Sequence, residues 1–184
     1  VKDIQLRGEG DERHWKIDEA RAGTAYGNGR VAGTLETRKP FALDATADFE
    51  GVVAERPYKA KVTARGTLEA IEAQLAGEVS GQAATGHVVL APFAPVPVKS
   101  LELQARGVDL SQQAAGPKTS LDVEVRLVAG QKVFSGPVKV TNAEPGRWDQ
   151  QRLPFTTASA RVMVSAERVE LADLDVVLLD GGRA

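Results

Sequence analysis

From Phe41 onward the odd positions read Phe41, Leu43, Ala45, Ala47 and Phe49, while Asp44, Thr46 and Asp48 hold the even ones. Such an alternation places successive side chains on opposite faces of an extended strand, one face dry and the other wet. The pattern returns as Tyr58, Ala60, Val62, Ala64, as Ile71, Ala73, Leu75, and as Leu101, Leu103, Ala105. Downstream it reappears as Leu121, Val123, Val125, Leu127, then Val138, Val140, then Ala158, Ala160, Val162, Val164. A last run reads Val169, Leu171 and then, after a longer step, Leu174, Val176, Leu178. With weaker segments near residues 4–6, 15–17, 31–35 and 88–90, the spacing predicts about a dozen strands of an all-β chain. Glycines and the Pro145-Gly146 dipeptide punctuate these runs, so a meander of short antiparallel hairpins is expected. At most one short helix is predicted, within 108–117, where Asp109 caps, Gly116 stops and Pro117 blocks continuation.

Residues 1–184 read as one architectural unit, with a possible seam near Gly116 and a weak echo between Gly33-Thr34-Leu35-Glu36 and Gly66-Thr67-Leu68-Glu69. The longest apolar run, 88–98, is interrupted by Pro92, Pro95 and Pro97 and falls far short of the roughly 20 residues of a membrane-spanning helix. The sequence opens mid-pattern and carries no signal peptide, and it reads as a piece of a longer chain whose targeting elements lie outside it.

Charge and composition remove whole classes of chemistry. With 23 Lys and Arg against 25 Asp and Glu the formal net charge is −2, and no basic cluster of the kind that tracks phosphates is present, so nucleic acid is not an expected partner. Zero Cys and two His exclude thiol nucleophiles, disulfides and Cys- or His-rich metal sites. Asp44, Asp48, Asp122 and Glu124 fall on the polar phase of their strands, where a solvated face explains them without acid–base work. Ser111, Ser120 and Ser135 lack a nucleophile-elbow context. Gly27-Asn28-Gly29 has no following amphipathic helix, so it is a turn and no phosphate cradle. Trp148-Asp149 lacks a blade repeat, and Lys59, Lys61 and Arg65 read as a charged outer face. No catalytic residue, metal or cofactor is predicted, and an enzyme is not expected.

The dry phase is rich in Ala and Val, whereas only 5% of the chain is aromatic. A closed β-sandwich usually fills the gap between its sheets with large rings. Two resolutions stay open on the residues alone: a sandwich with a small-residue core, or a long sheet curled into a half-pipe whose apolar inside holds acyl chains. The groove would be lined by Leu43, Ala45, Phe49, Val62, Ile71 and Leu75, then Leu101, Leu103, Leu121, Val123, Val125 and Leu127, and finally Val138, Val140, Val162, Val164, Val176 and Leu178.

The stretches Val108-Asp109-Leu110-Ser111, 117–125, 134–142 and Pro145-Gly146-Arg147-Trp148-Asp149-Gln150-Gln151-Arg152-Leu153-Pro154 resemble the periplasmic region of the TamB family. Residues 92–98 and the closing 171–183 run fit the same pattern. This family is the inner-membrane component of the translocation and assembly module and is related to AsmA-like lipid-transport proteins. The resemblance implies a β-taco, a long curved antiparallel sheet with an apolar interior groove. It implies a periplasmic location, an inner-membrane anchor outside this segment and a TamA-like outer-membrane barrel as partner of the full protein. The expected function is a bridge segment that conducts phospholipid acyl chains between inner and outer membrane. The alternative is a scaffold for outer-membrane barrel assembly by β-strand augmentation.

Overall fold

The computed structural model describes the chain except at residues 1, 26, 54, 113–115, 131, 132 and 166. The chain forms two compact units, Val1–Lys99 and Ser100–Ala184. The division follows the proline-rich 92–97 segment, and Gly116 lies within the second unit, in the loop before its second strand. All regular structure among the described residues is antiparallel strand apart from two 3₁₀ turns, Leu110–Gln112 and Trp148–Gln150.

The first unit is a meander of β1 (Lys2–Gly10), β2 (His14–Thr24), β3 (Gly27–Glu36), β4 (Ala42–Val53), β5 (Arg56–Thr67), β6 (Ala70–Val79) and β7 (Gln82–Leu90), each pairing with the next in the chain. The second runs through β8 (Val98–Val108), β9 (Leu121–Ala129), β10 (Phe134–Asn142), β11 (Phe155–Val164) and β12 (Val169–Leu178) in the same manner. Register follows from matching dry positions across strands. Leu43 lies opposite Leu35 and Gly66, Ala45 opposite Gly33 and Ala64, and Ala47 opposite Val31 and Val62. A slip of one residue would turn every one of these apolar side chains to the wet face, so the pattern itself specifies the pairing. Opposite charges reinforce it on the wet face, where Asp48 faces Arg30 and Lys61 and Glu50 faces Lys59.

Several strands break the period-two spacing where the register shifts, β11 between Phe155 and Thr157 among them. In β2 the register shifts between Ile17 and Ala20, in β8 between Ala105 and Val108, and in β12 around Asp173. The apolar positions step by three at the same places: Ile17 to Ala20, Ala105 to Val108, Leu171 to Leu174. One extra residue in the strand absorbs the step, and the dry positions stay on one face. Gly107 and Asp173 provide the left-handed backbone for two of these bulges, at φ 62° and 53°.

The dry face is crowded at its backbone in both units. A Cβ added at Gly33 would stand 2.7 Å from the Ala45 Cα, and one at Gly136, which lies opposite Val162, would run into the Arg126 carbonyl. Glycine is used there because the neighbouring strand closes on that side.

Candidate functional site

The candidate site is the dry face of each unit. In the first, Leu43, Ala45, Phe49, Val62, Ile71 and Leu75 all project from the same side: Val62 lies directly opposite Ala47 and Leu75, and Ala45 opposite Ala64, which in turn faces Ala73. In the second, Leu103, Val125 and Val138 form one row with Ala160, and Val123 and Val140 form the next with Ala105, Ala158 and Val176. Leu101 faces Leu127, Val162 faces Leu171, Val164 lies between Phe134 and Val169, and Leu178 pairs with Phe155. Leu121 stands at the end of this face, opposite Val108 and Asn142.

Neither face is shut off from solvent. Only Ile71, Ala73, Leu121, Leu127 and Val162 fall to 7–9% exposure, and no large side chain is fully buried among the described residues. The chain exposes 12,543 Å² at 19.5 kDa, against about 8,500 Å² for a compact globule of that mass and about 10,300 Å² even for two separate globules of half the mass. A closed sandwich buries its inner rows nearly completely. Here most dry-phase side chains are half-buried, including Leu43, Val62, Leu75, Leu103, Val123 and Val125, and of the predicted groove residues Phe49 is the exposed one. Large apolar side chains at the outer strands are more open still: Ile4 and Leu6 on β1, and Val169, Leu171 and Leu174 on β12.

The opposite face is charged and laced with ion pairs: Lys16 with Asp18 at 2.8 Å, Arg65 with Asp44 at 3.1 Å, and Glu19 with both Arg21 at 2.8 Å and Arg30 at 3.0 Å. The Arg21 hydrogen bond holds the Glu19 carboxyl below its ordinary range, and the Asp18 hydrogen bond raises the Lys16 ammonium. A cavity of about 940 Å³ in the first unit draws its lining from three adjacent rows, Arg21–Arg30–Asp48–Lys61, Ala22–Gly29–Phe49–Ala60 and Asn28–Glu50–Lys59–Glu78. Two of those rows are of the wet phase. Among the predicted groove residues only Phe49 contributes to it.

One end of the second unit is finished by two long loops, 109–120 and 143–154, and the sequence patterns above did not anticipate its chemistry. Thr119 and Asn142 are the buried polar side chains of the described residues, and both tie these loops down. Asn142 Nδ2 donates to the Leu153 and Phe155 carbonyls, while its Oδ1 accepts from the Glu144 amide. Thr119 Oγ1 donates to the Val108 carbonyl and accepts from the Leu110 amide. Asp109 accepts from Ser111 N, Ser111 Oγ and Thr119 N, and the two backbone donors depress its carboxyl below the ordinary range. The predicted capping role of Asp109 is thus realised on the 3₁₀ turn Leu110–Gln112, while residues 113–115 of the expected helical segment lie outside the described residues. A signal for Asn142 existed, because it continues the dry phase of Val138 and Val140 with a polar side chain.

The geometry defines a class: an open antiparallel β-meander with one apolar and one charged face. Among the described residues no group of three His, Asp or Glu is placed to hold a metal ion, and no helix is long and apolar enough to cross a membrane. Compared with known proteins, the chain matches no family model, no curated protein and no solved structure.

Proposed function

We propose that this chain is a periplasmic bridge segment of a TamB-like protein and that its dry face conducts phospholipid acyl chains between the inner and outer membranes. The observation that carries the reading is the incompletely closed apolar face: rows of Leu, Val and Ala that alternate with polar and charged residues and yet stay only half-buried. A contiguous apolar face left uncovered in a folded chain marks a binding surface. Each methylene transferred from water to such a surface gains roughly 0.8 kcal/mol, and the small side chains leave room for it. Head groups stay in water at the open side of the sheet. In the full protein, an anchor outside this segment holds it in the inner membrane, and a TamA-like barrel receives the far end.

The test is direct. The chain is exported to the periplasm with a photocrosslinking residue at Leu103, Val125, Val62 or Leu75, and in parallel at Glu102, Glu124, Lys61 or Asp44. Phospholipid adducts, identified by mass spectrometry, are expected at the first set only. Equal labelling of both phases rejects the reading.

A second reading, a scaffold for barrel assembly by strand addition, is favoured by one feature. β1 pairs with β2 alone among the described residues, and its Ile4 and Leu6 are 72% and 70% exposed. The outer edge of β12 is instead partly occupied by the chain itself, through Val176 N to Ala184 O, Ala184 N to Val176 O and Leu178 N to Gly182 O. Strand addition then takes place at β1. Crosslinking of an incoming barrel strand to Leu6 and not to Leu178 is the expected result.

A further inference from the structure

The cavity of the first unit takes no part in the lipid reading, and its charges are laid out for a ligand of their own. The dry rows on either side of it, Val31–Ala47–Val62 and Gly51–Tyr58–Val79, contribute nothing to its lining, so it opens on the charged face of the sheet. At about 940 Å³ it has the size of a small-molecule site. In its middle β4 presents Asp48 and Glu50, and β5 presents Lys61 and Lys59 directly opposite them. One strand thus carries two anions into the cavity and its neighbour carries two cations.

These four charges do not quench one another by contact. Elsewhere on the same face a directly opposed pair closes, Asp44 with Arg65 at 3.1 Å, and Glu19 draws in both Arg21 and Arg30. Asp48, Glu50, Lys59 and Lys61 enter no ion pair among the described residues, although each stands opposite a charge of the other sign. Over the cavity as a whole the cations Arg21, Arg30, Lys59 and Lys61 balance the lining acids Asp48, Glu50 and Glu78 together with Glu19, which holds the two arginines. A polyanion or a polycation gains no net attraction there. A zwitterion does, because an ammonium between the two carboxylates of β4 and an anionic group between the two ammoniums of β5 stand about one strand spacing apart, roughly 4.8 Å. That is the kind of separation found across an aminoethyl phosphate or a short ω-amino acid, and both ends receive charge-assisted hydrogen bonds. We infer that this cavity binds a small water-soluble zwitterion, its ammonium on Asp48 and Glu50 and its phosphate or carboxylate on Lys59 and Lys61. The inference uses the charged face alone and goes beyond the conduit reading. A lipid whose chains lie on the dry face has no route for its head group through the sheet, which makes the occupant a soluble molecule.

The probe is phosphoethanolamine, added to the isotope-labelled chain and followed through the amide resonances of β4 and β5. Saturable shifts are expected around residues 48–50 and 59–61. Ethanolamine and inorganic phosphate, the two halves of the probe, should each bind at least about tenfold more weakly, because each forfeits one set of charged contacts. Asp48→Asn with Glu50→Gln, and separately Lys59→Gln with Lys61→Gln, should weaken the probe by a similar factor. Reversing both strands at once, Asp48→Lys and Glu50→Lys with Lys59→Glu and Lys61→Glu, keeps the pattern in mirror order and should restore binding, which a structural role for these side chains would not. Asp44→Asn with Arg65→Gln, a closed pair outside the cavity, should bind as the parent does. A folded chain whose β4 and β5 amides ignore the probe overturns the inference, as does full binding by either neutralised pair. Inorganic phosphate that binds as tightly as the probe would make this a plain anion site, and phosphatidylethanolamine vesicles that displace the probe would make it a head-group site; either result overturns the soluble zwitterion.

Discussion

At the scale of single residues, the buried polar groups obey a different logic from the apolar rows around them. Asn142 occupies a dry-phase position, so phase alone favours leucine there. Its amide, however, is the donor for the Leu153 and Phe155 carbonyls. Asn142→Leu is therefore expected to destabilise the chain by about 1–3 kcal/mol, the cost of stranding buried acceptors, and a lowered urea midpoint checks it. Asp109 adds a pH dependence of known sign. Its folded carboxyl titrates below its ordinary value because Ser111 N and Thr119 N donate to the anion. The unfolded chain thus binds its proton first as pH falls. The stabilisation is fully present above the ordinary carboxylate range and is lost as pH falls through it towards the depressed folded value. Urea midpoints of the parent and of Asp109→Asn should differ at pH 7 and converge towards pH 3, and a gap that stays constant over that range would contradict this role.

At the scale of elements, the strands were legible because a face that must be dry writes its period directly into the sequence. The bulges leave a trace there too, as steps of three from Ile17 to Ala20, Ala105 to Val108 and Leu171 to Leu174, but the strand reading did not interpret it and assigned Val108 to a helical segment. What period could not reveal is anything held by backbone hydrogen bonding. The 3₁₀ turn at Trp148–Gln150 has no apolar repeat to betray it, since it rests on Arg147 and Trp148 carbonyls and on a brace from Lys118. The wet-phase cavity in the first unit was likewise hidden, because charged rows read as solvated faces whether the surface beneath them is flat or concave. The glycines carry the remaining element-scale information. Gly107→Val places a β-branched residue at φ 62° in the β8 bulge and should cost about 1–2 kcal/mol, whereas Gly81→Ala, strained by φ 80° but with open space around it, should cost less than Gly33→Val, where the new side chain meets Ala45. Thermal melting of the three variants gives the order, and a Gly33→Val protein as stable as the parent would show that the strands are not closed up on the dry side.

At the scale of the whole molecule, the decisive quantity is surface. The chain exposes 12,543 Å², and the apolar rows of its dry faces are only half-buried by its own fold. The two structural alternatives left open by composition, a small-residue sandwich and an open groove, therefore differ in what a charge on the dry face does. In a closed core an unpaired carboxylate has no water to reach, costs several kcal/mol and unfolds a domain of this size. Val125 is only half-buried, between Leu103 and Val138 in the middle row of the second unit. Val125→Asp on an open face loses its apolar contacts, about 1–2 kcal/mol, and keeps its solvation. The expected melting temperature is lower by roughly 5–10 °C with the strand spectrum intact. Phospholipid capture by a crosslinker at Leu103, one strand away, should fall sharply in the same variant, because a charge now sits in the path of the acyl chain. Leu103→Arg, read by a crosslinker at Val125, should behave alike. Unfolding at room temperature would return the interior to a closed core, and a folded variant with undiminished capture would end the case for this face as a lipid path.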